Sequence, residues 1–168
     1  MPEIIIPQRS DYTEIAQLVN GADKVFFSVY TPEEAKEVGV ASETAESLTE
    51  GEKNRQYLAV KENGVFVAFT SFRLKNNQTV WISSLYAHAD HQRKGYGGLL
   101  LSEIEKFAKL NGALVITLET EVEADWAVRF YKKQGYIILS KEDLKIYPFD
   151  KVIDKEPVSG RYIIGKKI

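Results

Sequence analysis

The sequence contains no cysteine. This absence excludes a disulfide framework, a thiolate nucleophile, an iron–sulfur cluster and the cysteine-rich zinc sites, and it fits a reducing compartment. Long apolar runs are also absent, since none approaches the roughly 20 residues that a membrane helix needs. The first residues have no basic segment ahead of an apolar one, so we expect no secretory signal. A cytoplasmic location is the default expectation.

Neither sign of charge predominates, because 22 lysines and arginines stand against 24 acids and give a net charge of −2. Nucleic-acid binding normally needs a basic field, so this near balance argues against nucleic acid as the main partner. Apolar residues make up 44% and charged residues 27% of the chain, which is typical of a globular protein. The length of 168 residues predicts one domain, residues 1–168.

Hydrophobic periodicity and turn residues predict the order of elements. Asn63-Gly64 predicts a tight hairpin turn. A meander followed by a strand–helix–strand crossover predicts a mixed α/β sheet with one right-handed parallel connection. The predicted elements are a strand at 4–6, a helix from Asp11 to Asn20-Gly21, a helix from Thr31-Pro32 to about Gly39, one or two helical turns in 42–50, strands at 56–61, 65–74 and 80–87, a helix at 97–110, a strand at 114–118, a helix around 127–131 ended by Gly135, and strands at 136–139 and 162–164.

The segment richest in chemistry is Gln92-Arg93-Lys94-Gly95-Tyr96-Gly97-Gly98, between a predicted strand and an amphipathic helix. Its glycines let backbone amides approach a ligand, and the start of a helix favours an anion. Arg93 and Lys94 add positive charge, so the segment predicts a phosphate or pyrophosphate site. The alternative is a plain strand-to-helix turn with exposed basic residues.

Two other phosphate-binding patterns fail. The dinucleotide fingerprint needs a third glycine where this chain has Leu100. The run from Gly160 to Lys166 has the spacing of a P-loop, but Lys167 stands where serine or threonine is required, so we interpret the match as chance.

A second motif lies downstream, in Phe130-Tyr131-Lys132-Lys133-Gln134-Gly135-Tyr136. Together with Ser83–Ala87, the loop 88–91 and Gln92–Gly97, it resembles the GNAT superfamily of acyl-CoA-dependent N-acetyltransferases. The two motifs span about Val80 to Leu139. The resemblance implies the acyl-CoA N-acyltransferase fold, which has a mixed, mostly antiparallel sheet, a central parallel pair splayed at a β-bulge, and helices on both faces.

The resemblance implies acetyl-CoA as co-substrate, and we expect no metal. The amides of Arg93 and of Gly95 to Gly98 would bind the CoA pyrophosphate. The strand end would pair with the pantetheine arm, with the Leu85 amide facing the acetyl carbonyl. Tyr131 matches the family's proposed general acid, which protonates the leaving thiolate; as an alternative, it is a core aromatic. The cofactor-binding residues expected in full are Leu85, Tyr86, Ala87, Gln92, Arg93, Lys94, Gly95, Tyr96, Gly97, Gly98, Asp125 and Tyr131.

The chain departs from the family pattern at three places. Ala89 stands where relatives often have proline. Ala124 stands where they often have an asparagine that contacts the cofactor, and we take the adjacent Asp125 as the contact instead. The strand from Val80 to Leu85 has no carboxylate, although some relatives place a general base there.

The general base is the least determined part of the site. Glu119 is the first candidate, since strand ends line sites in open α/β sheets, and Glu121 and His88 follow. The acids Glu119, Glu121, Glu123 and Asp125 are equally well explained as a solvated run, although such a run can attract a cationic amine. Acids also predominate in residues 31–53. We therefore expect a small amine, or a peptide N-terminal or lysine amine, as acceptor.

The leading hypothesis is direct acetyl transfer without a thiol acyl-enzyme, which the lack of cysteine excludes. One alternative is a non-catalytic acetyl-CoA sensor, and another is a structural interaction domain. His88-Ala89-Asp90-His91 is better explained by loop polarity than by a metal, because the chain has only 2 histidines. A homodimer is compatible with an exposed sheet edge or a splayed strand.

Overall fold

The computed structural model describes residues 1–26, 42–152, 155–157 and 159–168. Within these ranges it has seven strands and four helices. The strands are β1 (Glu3–Ile5), β2 (Gln56–Glu62), β3 (Val65–Lys75), β4 (Thr79–Ala87), β5 (Val115–Glu121), β6 (Ile137–Ile138) and β7 (Arg161–Lys167). The helices are α1 (Tyr12–Phe26), α2 (Ala45–Gly51), α3 (Tyr96–Leu110) and α4 (Asp125–Lys133). None of these described helices is long and apolar enough to cross a membrane.

The strands form one sheet in the order β1-β2-β3-β4-β5-β7-β6. β4 and β5 run parallel, with Thr79–Trp81 beside Val115–Thr117, whereas β7 is antiparallel to β5 along its whole length. The predicted mixed, mostly antiparallel sheet with a crossover through α3 is therefore confirmed. The parallel register runs from Thr79 to Trp81, and β4 continues to Ala87; the splay of this pair and the β-bulge stay predictions.

The chain divides into two compact units, residues 1–71 with 84–100 and residues 72–83 with 101–168. In the first unit, α1 and α2 pack against β2 and β3. The buried side chains that join them are largely aromatic and branched: Tyr12, Ile15, Leu18, Val19, Leu48, Tyr57, Phe66 and Phe69.

The second unit has its core on β5 and β7, closed by the segment that follows β6. Its buried residues are Val115, Leu139, Leu144, Phe149, Val152 and Ile163. Gly165 makes room for this packing, because a Cβ there would lie 2.6 Å from Leu139 Cδ1. Residues 139–152, which have no clear pattern in the sequence, therefore supply core side chains.

One predicted helix boundary is wrong. We place the end of the first helix at Asn20-Gly21, whereas α1 continues to Phe26. The Asn20 side chain does not end the helix because it binds Glu43, accepting from its backbone N at 2.8 Å and donating to its carbonyl O at 2.9 Å. The helix predicted from Thr31-Pro32 to Gly39 lies outside the described residues.

Elsewhere, turn and capping residues in the sequence correctly indicate where elements begin and end. Asn63 (φ 51°) and Gly64 (φ 83°) form the predicted hairpin turn between β2 and β3. Thr44 caps α2 by accepting from Ser47 N at 3.1 Å. β5 is longer than predicted because residues 119–121 pair with β7. β6 is only two residues long.

Candidate functional site

The predicted phosphate loop lies in the first unit, between the end of β4 and the start of α3. A 3-10 turn at Ala89–His91 follows the strand. Among the described residues, nothing accepts a hydrogen bond from the backbone amides of residues 93–98. The first amide after them that forms a backbone hydrogen bond is that of Leu99, which donates to Gly95 O at 3.1 Å. Six consecutive amides therefore remain for an anion at the positive end of a helix.

Two residues of this loop have left-handed backbone conformations. Arg93 has φ 61° and Gly95 has φ 89°. A side chain makes this conformation cost about 1 kcal/mol or more, so Arg93 carries strain that glycine avoids. A Cβ at Gly95 would meet nothing within 4 Å, so glycine is required there by the backbone angle and not by packing within the chain. Strain in a loop rich in unpaired amides is typical of a ligand site.

The side chain of Tyr96 connects the start of α3 to β2. Its side chain is buried with Leu100, Val60 and Val67, and its hydroxyl donates to Glu62 Oε2 at the end of β2. The hydrogen bond to Glu62, together with burial, raises the pKa of Tyr96. The hydroxyl of Tyr96 is therefore already hydrogen-bonded within the protein, so its backbone amide is the group left to bind a cofactor.

We expect Tyr96→Phe to weaken coenzyme A binding by about 3- to 10-fold, the range typical of losing one hydrogen bond. The ring stays packed, but the start of α3 loses its tie to Glu62. Isothermal titration calorimetry with coenzyme A measures the effect. Glu62→Gln serves as the matched variant because it keeps an acceptor for the tyrosine. Unchanged affinity in Tyr96→Phe would show that the loop holds its shape without the bond.

The predicted pantetheine strand is the second half of β4. Val80 and Ile82 are buried, but every residue from Ser83 to Ala87 is half-buried or exposed. Leu85 and Ala87 pack against the cluster that contains Tyr96, whereas Tyr86 packs against the cluster of α1. Within the first unit, the structure thus brings the end of β4 beside the start of α3.

Tyr131 lies in the second unit, on α4. Its side chain is only 8% exposed, and burial raises its pKa well above the ordinary value of 10. Its ring makes edge contacts with Phe130 and Tyr136, with centroids 5.1 Å and 5.8 Å away. No described residue forms a hydrogen bond with its hydroxyl. The group is thus a protonated phenol whose proton is not engaged by the described chain.

The way α4 ends explains the spacing of the second sequence motif, Phe130 to Tyr136. Gly135 has φ 84°, Tyr136 N donates to Tyr131 O at 3.0 Å, and Gly135 N donates to Lys132 O at 3.0 Å. These two bonds and the ring contact of Tyr131 with Tyr136 form a Schellman motif, which ends helices at a left-handed glycine. The motif fixes the last turn of the helix that bears Tyr131.

The carboxylate candidates are paired with an arginine that the sequence analysis does not single out. Arg161 of β7 donates from Nε to Glu121 Oε1 at 2.8 Å, and its Nη1 lies 3.7 Å from Glu119 Oε2. Only 12% of the Glu119 side chain and 11% of the Glu121 side chain are exposed. The interpretation of a solvated acidic run is therefore wrong for these two residues, because pairing with β7 buries them, and correct for Glu123 and Asp125, which are exposed.

We expect Arg161→Met to lower the free energy of unfolding by about 2 kcal/mol, because two largely buried carboxylates lose their cation. Urea unfolding at neutral pH measures the change. Arg161→Lys keeps a positive charge and should recover part of the loss. Equal stability of wild type and Arg161→Met would show that solvent already screens both carboxylates.

The histidine loop is held by its own polar groups. His88 Nδ1 accepts from Asp90 N at 3.3 Å, and Lys94 Nζ lies 3.4 Å from His91 Nδ1. In the part of the chain that the structure describes, no three histidine, aspartate or glutamate side chains are grouped to hold a metal ion.

Residues 16–136 match the family described as the Acetyltransferase (GNAT) family. The chain belongs to this family. The predicted family is confirmed, and with it the prediction of an enzyme, an acetyltransferase. The match includes both motifs.

Relatives of this GNAT chain agree with the assignment. It is 34% identical over 84 residues to YhfO, an uncharacterized N-acetyltransferase of Bacillus subtilis, in a match that covers 47% of this chain and 56% of YhfO. It is 27% identical over 130 residues to YjcF, another uncharacterized N-acetyltransferase of Bacillus subtilis, covering 76% and 89%. Its fold is shared by the crystal structure of the PaiA N-acetyltransferase of Thermoplasma acidophilum in complex with coenzyme A, with a TM-score of 0.80 at 18% identity over 100% of this chain and 99% of that chain.

Of the other predicted cofactor-binding residues, Gln92, Arg93, Lys94, Gly95 and Asp125 are exposed, and Gly97 and Gly98 are half-buried. Gln92, Arg93 and Lys94 project from the loop, and Asp125 begins α4. The sequence analysis does not find three residues of the site. Glu62 accepts a hydrogen bond from Tyr96, Arg161 donates to Glu121 of β5, and Lys166 donates to the carbonyl of Gln134 at the end of α4. No local signal marks these three residues, because each acts on a segment more than 30 residues away in the sequence.

Proposed function

We propose that residues 1–168 act as a single N-acetyltransferase domain that transfers an acetyl group from acetyl-CoA directly to a primary amine of a small molecule or peptide. The observation that carries the proposal is the run of six amides, residues 93–98, without an acceptor in the described chain. Coenzyme A offers a diphosphate that accepts several such bonds. The open space at Gly95 and the adjacent Arg93 and Lys94 fit the same anion.

The proposed roles are those that the family resemblance implies for each residue. The loop binds the diphosphate, and the backbone of Leu85 to Ala87 pairs with the pantetheine arm. Acetyl-CoA supplies an activated acetyl thioester. The Leu85 amide polarises its carbonyl oxygen, and Tyr131 donates its proton to the departing sulfur. The lack of cysteine excludes a thiol acyl-enzyme, and we propose that the amine attacks the thioester carbonyl directly, so that the C–N bond forms as the C–S bond breaks.

For the acceptor side, we propose Glu119 as the residue that takes the ammonium proton, with Glu121 and His88 as alternatives. Glu119 is the better carboxylate because its nearest contact to Arg161 is 3.7 Å, whereas Glu121 binds Arg161 directly at 2.8 Å. Two carboxylates share one guanidinium, which leaves net negative charge at the end of β5. This charge favours a cationic amine over an anionic acceptor.

A thiol-release assay with acetyl-CoA tests the proposal over polyamines, amino acids, aminoglycosides and peptides. We expect saturable turnover with at least one cationic amine class, and mass spectrometry of the product should show one added acetyl group on nitrogen. Saturable coenzyme A binding without turnover on any class would favour the non-catalytic sensor instead. An absence of coenzyme A binding would contradict both. A cytoplasmic location, the lack of a nucleic-acid partner and a homodimer stay predictions from the sequence.

A further inference from the structure

Lys166 of β7 reaches two other elements of the second unit. Its Nζ donates to Glu105 Oε1 of α3 at 2.7 Å and to Gln134 O at 2.8 Å. The same ammonium lies 5.4 Å from the centroid of the Tyr136 ring. Only 26% of the Lys166 side chain is exposed, so these contacts are largely shielded from water.

These contacts fall on the last turn of the helix that bears Tyr131. Gln134 is the C-cap of α4, and a carbonyl at this position has no intrahelical partner. A cation there satisfies the carbonyl and opposes the negative end of the helix dipole. The Tyr136 ring, in turn, is in edge contact with Tyr131. Lys166 therefore contacts both the backbone cap and the aromatic neighbour that orient Tyr131.

We infer that Lys166 is a positioning residue for Tyr131. It holds the C-terminal turn of α4 so that the Tyr131 hydroxyl keeps the direction in which it donates its proton. The inference rests on the proposed role of Tyr131 in the transfer reaction. Lys166 acts through Gln134 and Tyr136, and a shift of about 1 Å in a catalytic group is enough to cost a large factor in rate.

Lys166→Met tests the inference, because methionine keeps most of the aliphatic chain and removes the ammonium. We expect kcat to fall about tenfold while KM for acetyl-CoA stays within about twofold, since the phosphate loop belongs to the first unit. Lys166→Arg, which keeps a cation and donors, should recover most of kcat. Lys167→Met is the matched control on the same strand. Lys167 is exposed and its Nζ lies 5.5 Å from the Phe149 ring, so this variant should keep the wild-type kcat.

A double-mutant cycle separates positioning from a general structural role. If Lys166 acts through Tyr131, Lys166→Met adds no further loss of kcat in a Tyr131→Phe background. Additive losses, or a Lys166→Met enzyme equal to Lys167→Met, would overturn the inference and leave the role of Tyr131 intact. If Tyr131→Phe alone keeps full kcat, the proposed acid fails, and the inference fails with it. Urea unfolding is measured on every variant as a check of folding, and Lys166→Gln replaces Lys166→Met if the latter does not fold.

Discussion

Gly97→Glu should weaken coenzyme A binding by at least about 100-fold, because a new carboxylate beside the bound diphosphate repels it by several kcal/mol. Gly97 is the second residue of α3, and its amide is one of the six for which the described residues offer no acceptor. An acid in the first turn of a helix interacts favourably with the helix dipole, and replacing a helical glycine raises helix propensity. The variant should therefore fold normally and lose binding alone, which calorimetry with coenzyme A measures.

Two variants control for size and for the substitution itself. Gly97→Gln has the same volume without the charge and should lose about tenfold in affinity or less. Gly21→Glu makes the same change on α1, where a Cβ meets nothing within 4 Å, and should bind coenzyme A like the wild type. Full affinity in Gly97→Glu would contradict an anion site at this loop, and equal losses in Gly97→Glu and Gly97→Gln would point to size instead of charge.

The conformation of the loop at residues 92–98 could be predicted from the sequence because everything that defines it is local, whereas its phosphate ligand stays a prediction. The glycines, the basic residues and the start of the amphipathic helix lie within one short segment. The left-handed angles of Arg93 and Gly95 follow from the need to turn a strand into a helix in a few residues. The same holds for the end of α4, where a single left-handed glycine sets both the helix stop and the contact between Tyr131 and Tyr136.

The ion pairs of the site could not be predicted, because they depend on strand register. Arg161 meets Glu121 only because β7 pairs with β5 so that these two residues are opposite each other. A register shifted by one residue would turn Arg161 to the other face of the sheet. The sequence around β7 has no turn of fixed length that links it to β5, so nothing local sets this alignment.

The same reasoning explains the wrong helix end at Asn20-Gly21. Asparagine followed by glycine is a strong stop signal when nothing else engages it. Here the Asn20 amide forms two bonds to the backbone of Glu43, a tertiary contact that keeps α1 helical through this point. Local propensity therefore predicts an element's existence better than its boundary when a distant backbone group competes for the capping residue.

Tyr131→Phe should lower kcat by about 100-fold or more, the usual contribution of a positioned general acid. The phenyl ring keeps the edge contacts with Phe130 and Tyr136, and the hydroxyl has no hydrogen bond to lose among the described residues. Stability and KM for acetyl-CoA should therefore stay near wild-type values. Steady-state thiol release with the best acceptor amine measures kcat, and thermal unfolding checks the fold.

The pH profile of the wild type provides an independent test of the same residue. A general acid works only while it is protonated, and burial raises the pKa of Tyr131 above its ordinary value. The acid thus stays protonated in alkaline solution, so we expect no loss of kcat between about pH 8 and about pH 10 from this group. A loss centred near pH 10 that Tyr131→Phe abolishes would mean that Tyr131 titrates like an exposed tyrosine and is not shielded as its burial requires. A loss that persists in Tyr131→Phe would belong to another group, and an unchanged kcat in that variant would leave water as the proton donor to the sulfur.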